Sequence, residues 1–338
     1  MSRESPKILV IGPKFFSYGS LIATRLSELG FNAVFVDERP GIGTIEKAVL
    51  RFLGPYFVPG LHSRLKKYLM EIASDSVEKI LLLSSEVVTP GFFPNLRKFF
   101  PNAKIIAYSW DSIRNKPNTL KIVPFSDSAF SFDPEDATQI QGVKLRPLFY
   151  HPMFEMKFKH QNLRPKIGFL GTLHSDRTLV LSRILSEIKK TADAELKCFI
   201  YCQNKYVFAF RVLFAPQLWF SRKLISYESL PISNVIEWLK EVDFIIDIHH
   251  PKQTGLTMRT VEAIGMGKKL ITTNKSIKNY AFYDPNMHFI VERKNPNLSF
   301  LVNQMNSVNS KADTLKEKVK LDTWISEVFN LQGNTQND

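Results

Sequence analysis

Arg259 and Glu262 stand three residues apart, so a helix puts a guanidinium and a carboxylate on one face. At a strand's end such a pair can serve a nucleotide. The carboxylate accepts the ribose hydroxyls, and the guanidinium neutralises a diphosphate. The alternative is a plain surface ion pair, worth only about 0.5 kcal/mol. The surroundings favour the ligand. An apolar strand over 243–248 runs into a polar turn holding His249, His250 and Lys252. A helix starting near Gly255 or Leu256 carries the pair and stops at Gly265 and Gly267, and a strand over 269–273 follows. Open parallel sheets bind ligands at the carboxyl ends of their strands. A helix N-terminus adds N–H groups and a positive dipole end that suit a phosphate. His250, Lys252, Thr254, Gly255, Leu256 and Thr257 therefore join Arg259 and Glu262 as candidate nucleotide-site residues.

Gly171 and Thr172 follow an apolar strand over 166–170, where a phosphate can approach the backbone; an ordinary tight turn is the other reading. His174 and Arg177 come just after and strengthen the site. His249 and His250 are adjacent. Neighbouring strand positions face opposite sides, so at most one of them points at a ligand.

In the first half Glu86, Asp111 and Asp133 each lie just beyond a strand's carboxyl end. Any of them could be a general base toward a hydroxyl acceptor, and any could instead cap a helix. Asp111 leads, with Glu86 second, because Trp110 beside Asp111 can wall a sugar pocket. Gly12, Lys14, Trp110 and Asp133 are candidate acceptor contacts.

Several chemistries lack their motif. No His-Glu-x-x-His or Cys/His cluster offers a metal site, and no Asp-x-Asp offers a metal–diphosphate clamp. Gly41-x-Gly43 has Glu46 where a dinucleotide fingerprint needs its third glycine. There is no Gly-Lys-Ser/Thr phosphate loop. No resident cofactor is expected.

The elements that must hold these residues alternate. Strands are expected over 7–12, 32–36, 79–84, 104–108 and 129–132, with helices over 17–29, within 45–76 and over 92–100. Residues 141–165 break the rhythm with Pro147, Pro152 and Pro165. The pattern then resumes, with strands over 166–170, 196–201, 224–227 and 288–291 and helices over 179–190 and 233–240. A terminal helix over 312–329 and a frayed polar tail over 331–338 close the chain. Apolar strands alternating with helices predict α/β units with parallel sheets covered on both faces. The expected layout is a first domain over 1–150, a linker over 151–165, a second domain over 166–310 and a terminal helix over 311–330. Two such halves imply a cleft.

The chain has 338 residues, a size for two domains, and a net charge of +13, which favours polyanionic partners. Nothing in it reads as a nucleic-acid-binding module. No apolar run reaches the roughly 18 residues of a spanning helix, and the start has no export segment. With Cys198 and Cys202 read as buried thiols, a cytoplasmic setting is expected. Residues 206–227 and 47–70 mix aromatic and basic side chains, and both are candidates to rest on an anionic inner-membrane surface. They could equally be core helices with a solvated edge.

With these motifs in place, the chain resembles GT-B glycosyltransferases. More narrowly, it is similar to bacterial lipopolysaccharide core and capsule transferases of the RfaS-like type, and more distantly to CgeB-like proteins. The resemblance is carried by the runs 108–113, 130–136, 147–150 and 255–268. It implies two Rossmann-like domains facing across a cleft and a metal-independent transfer. The resemblance also implies a nucleotide-sugar donor, a co-substrate held by 166–310, and an acceptor held by 1–150, a lipid-linked or core oligosaccharide of lipopolysaccharide, O-antigen or capsule, with the helix over 311–330 crossing back to the first domain. In many retaining members two glutamates eight positions apart contact the donor; the second falls on Glu262, and the first falls on Thr254. The alternatives are a sugar-nucleotide epimerase or hydrolase of the same fold, and a non-catalytic nucleotide- or glycan-binding protein.

Overall fold

The computed structural model describes residues 7–14, 17–112, 117–156, 164–304 and 312–331. The chain divides into two compact units, one of residues 1–147 with 321–338, the other of residues 148–320.

Unit 1 holds six parallel strands: β1 (Lys7–Gly12), β2 (Asn32–Asp37), β3 (Val77–Leu83), β4 (Lys104–Ser109), β5 (Ser128–Ser131) and β6 (Val143–Leu145). Their order is β2-β1-β3-β4-β5-β6. The central strands are apolar at nearly every position because helices cover both faces; in β1 every residue after Lys7 is buried. The order reverses between β1 and β3, which makes their carboxyl ends the topological switch point. The two strands close tightly there. A Cβ on Gly12 would sit 2.6 Å from the Leu83 carbonyl oxygen, so only glycine fits.

Unit 2 repeats the plan with β7 (Lys166–Thr172), β8 (Glu195–Tyr201), β9 (Ile225–Ser226), β10 (Phe244–Asp247), β11 (Lys269–Thr272) and β12 (His288–Ile290). All pairs are parallel, in the order β12-β11-β10-β7-β8-β9. Its switch point lies between β7 and β10. Gly168 allows this packing, since a Cβ there would meet Val242 at 2.6 Å and the Trp238 ring at 2.8 Å.

Four expectations change. First, Gly171 and Thr172 form no turn; they stay in the ladder, opposite Ile200 and Tyr201. Second, the terminal helix is two helices, Ala312–Glu317 and Leu321–Val328. The break has a cause: the Val319 carbonyl accepts the Tyr150 N–H at 3.1 Å instead of continuing a helix. The first piece belongs to unit 2 and the second to unit 1, where Trp324 packs edge-on against Tyr108 at 4.8 Å and Arg25 grips Asp322 at 2.6 Å. Third, residues 151–156 of the expected linker and residues 148–150 of the expected first domain are part of unit 2, and a Cβ on Gly265 would sit 2.6 Å from the Tyr150 ring. Residues 157–163 of that linker, Ile113 of the 108–113 motif and tail residues 332–338 lie outside the described residues. Fourth, the core helix that is one reading of 206–227 covers residues 205–214 and keeps exposed apolar side chains. Cys202 is buried and Cys198 half-buried; both are free thiols. Among the described residues no helix is long and apolar enough to cross a membrane.

Candidate functional site

The carboxyl ends of β7 and β10 are brought side by side by the pairs Phe244–Ile167, Ile245–Gly168 and Ile246–Phe169. Beyond those ends the His174 and His250 rings meet, with centroids 5.7 Å apart. The choice between the adjacent histidines is thereby made. His250 faces His174, while His249 Nδ1 lies 2.8 Å from the Thr273 hydroxyl. His250 Nδ1 accepts the Lys252 N–H at 3.2 Å. Burial, reinforced by Arg177 and His250, pushes His174 down to about 4. At neutral pH it is therefore an uncharged hydrogen-bonding ring. Ser175 beside it has a left-handed backbone with φ 46, a conformation disfavoured for a residue with a side chain.

Arg177 ties the two strands together. Its Nε donates to the Ile248 carbonyl at 3.0 Å and its Nη1 to the Thr172 carbonyl at 2.9 Å. The side chain therefore shapes the site as a brace between strand ends, which differs from the direct donor contact expected of it. Gly171 is needed because a Cβ would sit 2.8 Å from the Phe169 ring. Thr172 is exposed.

Helix Met258–Gly265 begins where β10 ends. Thr257 is its N-cap, with Oγ1 accepting the Thr260 N–H at 3.3 Å and donating to Asp247 at 2.8 Å. Asp247 also accepts the Thr260 hydroxyl at 3.0 Å and the Thr272 hydroxyl at 3.4 Å. One buried carboxylate thus fixes the helix N-terminus to the strand ends. From the other side, Asn274 Nδ2 donates to the carbonyls of Thr254 and Gly255, at 3.0 and 3.1 Å. Gly255 and Leu256 are buried beneath this loop, and Lys252 is exposed on it.

Arg259 Nη1 lies 2.6 Å from Glu262 Oε2, and both side chains are largely buried, 16% and 9% exposed. The approach is out of line for a hydrogen bond. Arg259 Nε and Nη1 and Glu262 Oε2 are buried with no hydrogen-bond partner among the described residues. Burial raises the Glu262 pKa, Arg259 opposes this, and Asp247 adds to it. Buried polar atoms in native proteins almost always have partners. A buried ion pair at the switch point, with Arg259 Nε unpartnered beside a helix N-terminus, has the chemistry to receive hydroxyls and an anion.

In unit 1 the expected residues lie at the carboxyl ends of β1, β3, β4 and β5. Lys14 is exposed, and its N–H reaches Asp37 at 3.4 Å. Trp110 stands edge-on to Tyr18 at 6.4 Å, and its N–H is held by the Ser84 hydroxyl at 2.8 Å. Asp111 is half-buried, with its carbonyl accepting from Ser109 at 2.5 Å. Glu86 lies 3.6 Å from Arg39. Asp133 differs from the acceptor contact expected of it: it is buried, and its carboxylate caps helix Pro134–Gln139 by accepting the Glu135 N–H at 3.0 Å. Among the described residues, His, Cys, Asp and Glu form no group of three that could hold a metal ion.

Sequence reasoning missed Glu38. It is fully buried at the end of β2 and accepts from the Ser85 hydroxyl, from Glu86 N–H at 2.8 Å and from Val87 N–H at 3.2 Å. It thereby holds the loop that carries Glu86. Burial pushes its pKa up to about 7, against the Ser85 and Val87 hydrogen bonds. Between about pH 4.5 and 7 the folded chain binds a proton that the unfolded chain releases. This contribution is therefore fully present at the acid end and lost as pH rises. Thermal melting across this range is expected to show wild-type stability falling by about 1–3 kcal/mol relative to Glu38→Gln, which cannot titrate. Parallel pH profiles for the two proteins would contradict it.

No family model matches the sequence, and no curated protein matches it. Solved structures do match. A glycosyltransferase from Rickettsia africae ESF-5 has a TM-score of 0.61 at 14% identity, over 97% of both chains. The Anabaena protein HepE, solved with UDP-glucose, has a TM-score of 0.62 at 8% identity, over 96% of this chain and 98% of that one. The lipopolysaccharide outer core galactosyltransferase WaaB, in its apo form, has a TM-score of 0.54 at 14% identity, over 96% of this chain and 98% of that one. At these identities what is shared is the fold: the two-domain α/β plan of GT-B glycosyltransferases.

Proposed function

We propose that this chain transfers a glycosyl group from a nucleotide-sugar to a hydroxyl acceptor. The observation that carries the reading is the buried Arg259–Glu262 ion pair at the unit 2 switch point, whose Arg259 Nε has no hydrogen-bond partner among the described residues. In the proposed complex Glu262 accepts the ribose hydroxyls. Arg259, Lys252 and the backbone N–H groups following Thr257 take the diphosphate. Negative charge grows on that leaving group in the transition state, so fixed donors there accelerate the step. His174 offers a neutral ring contact beside the same anion with His250 next to it, and Gly171 and Thr172 line the approach. Thr254 stands where a second carboxylate would contact the sugar in retaining relatives, so it supplies only a hydroxyl. If the reaction inverts, Asp111, or Glu86 after it, deprotonates the acceptor hydroxyl.

The acceptor we propose is a growing bacterial surface glycan on a lipid carrier or lipid A core, reached at the inner face of the cytoplasmic membrane. The sequence resemblance supports this. A thermal-shift screen with UDP, GDP, dTDP, CMP and ADP tests the donor site, followed by transfer from the matching sugar nucleotide. A ligand at about 100 times its dissociation constant stabilises by about 2.7 kcal/mol. Donor turnover without an acceptor would instead indicate an epimerase or hydrolase, and binding without turnover a binding protein. No shift with any nucleotide would remove the donor-site reading.

A further inference from the structure

Helix Lys205–Phe214 and the 3-10 turn Pro216–Leu224 connect β8 to β9 in unit 2. One side of the helix is packed: Phe208 is buried, and Val207 and Val212 lie against the unit's apolar core. Another side presents Tyr206, Phe210, Leu213 and Phe214, all exposed, the last two at 77% and 78%. Their spacing of four, three and one residues puts them on one face. Phe210 and Phe214 pack on each other at 5.0 Å without covering either ring. Trp219, 53% exposed, continues the apolar patch in sequence. Single exposed apolar residues need no explanation, but a contiguous face of them does.

The charge around this face names its partner. Lys205 Nζ lies 5.4 Å over the Tyr206 ring, and the Arg222 guanidinium 4.9 Å over the Trp219 ring. Lys205, Arg222 and Lys223 are exposed. From residue 196 to 227 the chain has five basic residues and no acidic one. An apolar helix face with aromatic residues and a rim of cations is complementary to an anionic bilayer surface, where apolar groups enter the acyl boundary and cations meet headgroup phosphates. We infer that this face of unit 2 seats on an anionic lipid bilayer, with Phe210, Leu213 and Phe214 inserted and Lys205, Arg222 and Lys223 on phosphates. This needs neither the donor site nor the transfer reaction. It gives the peripheral attachment a location on the connection between β8 and β9.

Flotation with vesicles of phosphatidylcholine containing phosphatidylglycerol, against phosphatidylcholine alone, tests it. The wild type is expected to float with the anionic vesicles, less so as salt rises. Leu213→Ser with Phe214→Ser is expected to bind about tenfold more weakly or worse, and so is Arg222→Gln with Lys223→Gln. These side chains are exposed, so apo melting temperatures and nucleotide shifts should match the wild type. That control separates this inference from the donor-site reading. Three results would overturn it: no wild-type flotation with anionic vesicles, equal flotation of the variants, or a wild-type dimer that Leu213→Ser with Phe214→Ser makes monomeric without any vesicle binding.

Discussion

Glu262→Ala is expected to weaken nucleotide binding by about 100-fold and to remove most of the nucleotide-induced thermal shift. The magnitude follows from hydrogen bonds to a charged group, about 1.5–3 kcal/mol net. The carboxylate is 9% exposed, so little solvent screening reduces the effect. Glu262→Gln keeps the shape but loses the charge, and a loss of about tenfold is expected. The apo protein behaves differently. Removing Glu262 leaves the Arg259 guanidinium largely buried without its counter-charge, so Glu262→Ala should also melt lower than Glu262→Gln. Burial raises the Glu262 pKa, so wild-type affinity is expected to fall on acidification at a higher pH than an exposed glutamate would allow. Calorimetric titration of both variants checks this. Equal affinity in all three proteins would mean that the pair is a structural ion pair.

Much of this site could be read from residue order alone. Arg259, Glu262, the glycines that end their helix and the apolar strand before them place the pair at a strand's carboxyl end without coordinates. The restart of strand–helix alternation near residue 166 likewise marks the second sheet. What stayed hidden was long-range. Asp247 sits inside a run that reads as a continuous apolar strand, and its partners lie 10, 13 and 25 residues away. Glu38 follows a strand like any turn residue, yet its donors lie 47 to 49 residues on. No periodicity reports such bonds. The bounds and the exposed face of helix Lys205–Phe214 stayed hidden for another reason: it is apolar on two sides, so it shows no clean 3.6-residue contrast. The terminal helix was overextended because local spacing cannot show that Tyr150 takes the Val319 carbonyl.

Asp247 is where a single substitution should damage unit 2 most. Its carboxylate accepts from three threonine hydroxyls, and Thr260 and Thr272 are fully buried. Asp247→Ala leaves these donors facing an apolar cavity, and each buried unpaired polar group costs about 1–3 kcal/mol. The N-cap loses its support as well: Thr257 still accepts the Thr260 N–H, but its own proton has no partner. A loss of about 3–5 kcal/mol is expected for unit 2. Asp247→Asn keeps one acceptor oxygen and should lose about 1–2 kcal/mol. With two units the melt need not be two-state, so the quantity to follow is the transition that nucleotide shifts. In Asp247→Ala that transition should move down while the other stays in place. Nucleotide affinity should fall too, although Asp247 touches no ligand in this reading, because the helix N-terminus that presents Arg259 is no longer fixed. A lowered transition with unchanged affinity would show that the loop holds its shape through Asn274 alone. If neither changed, the threonine network would have no part in positioning the site.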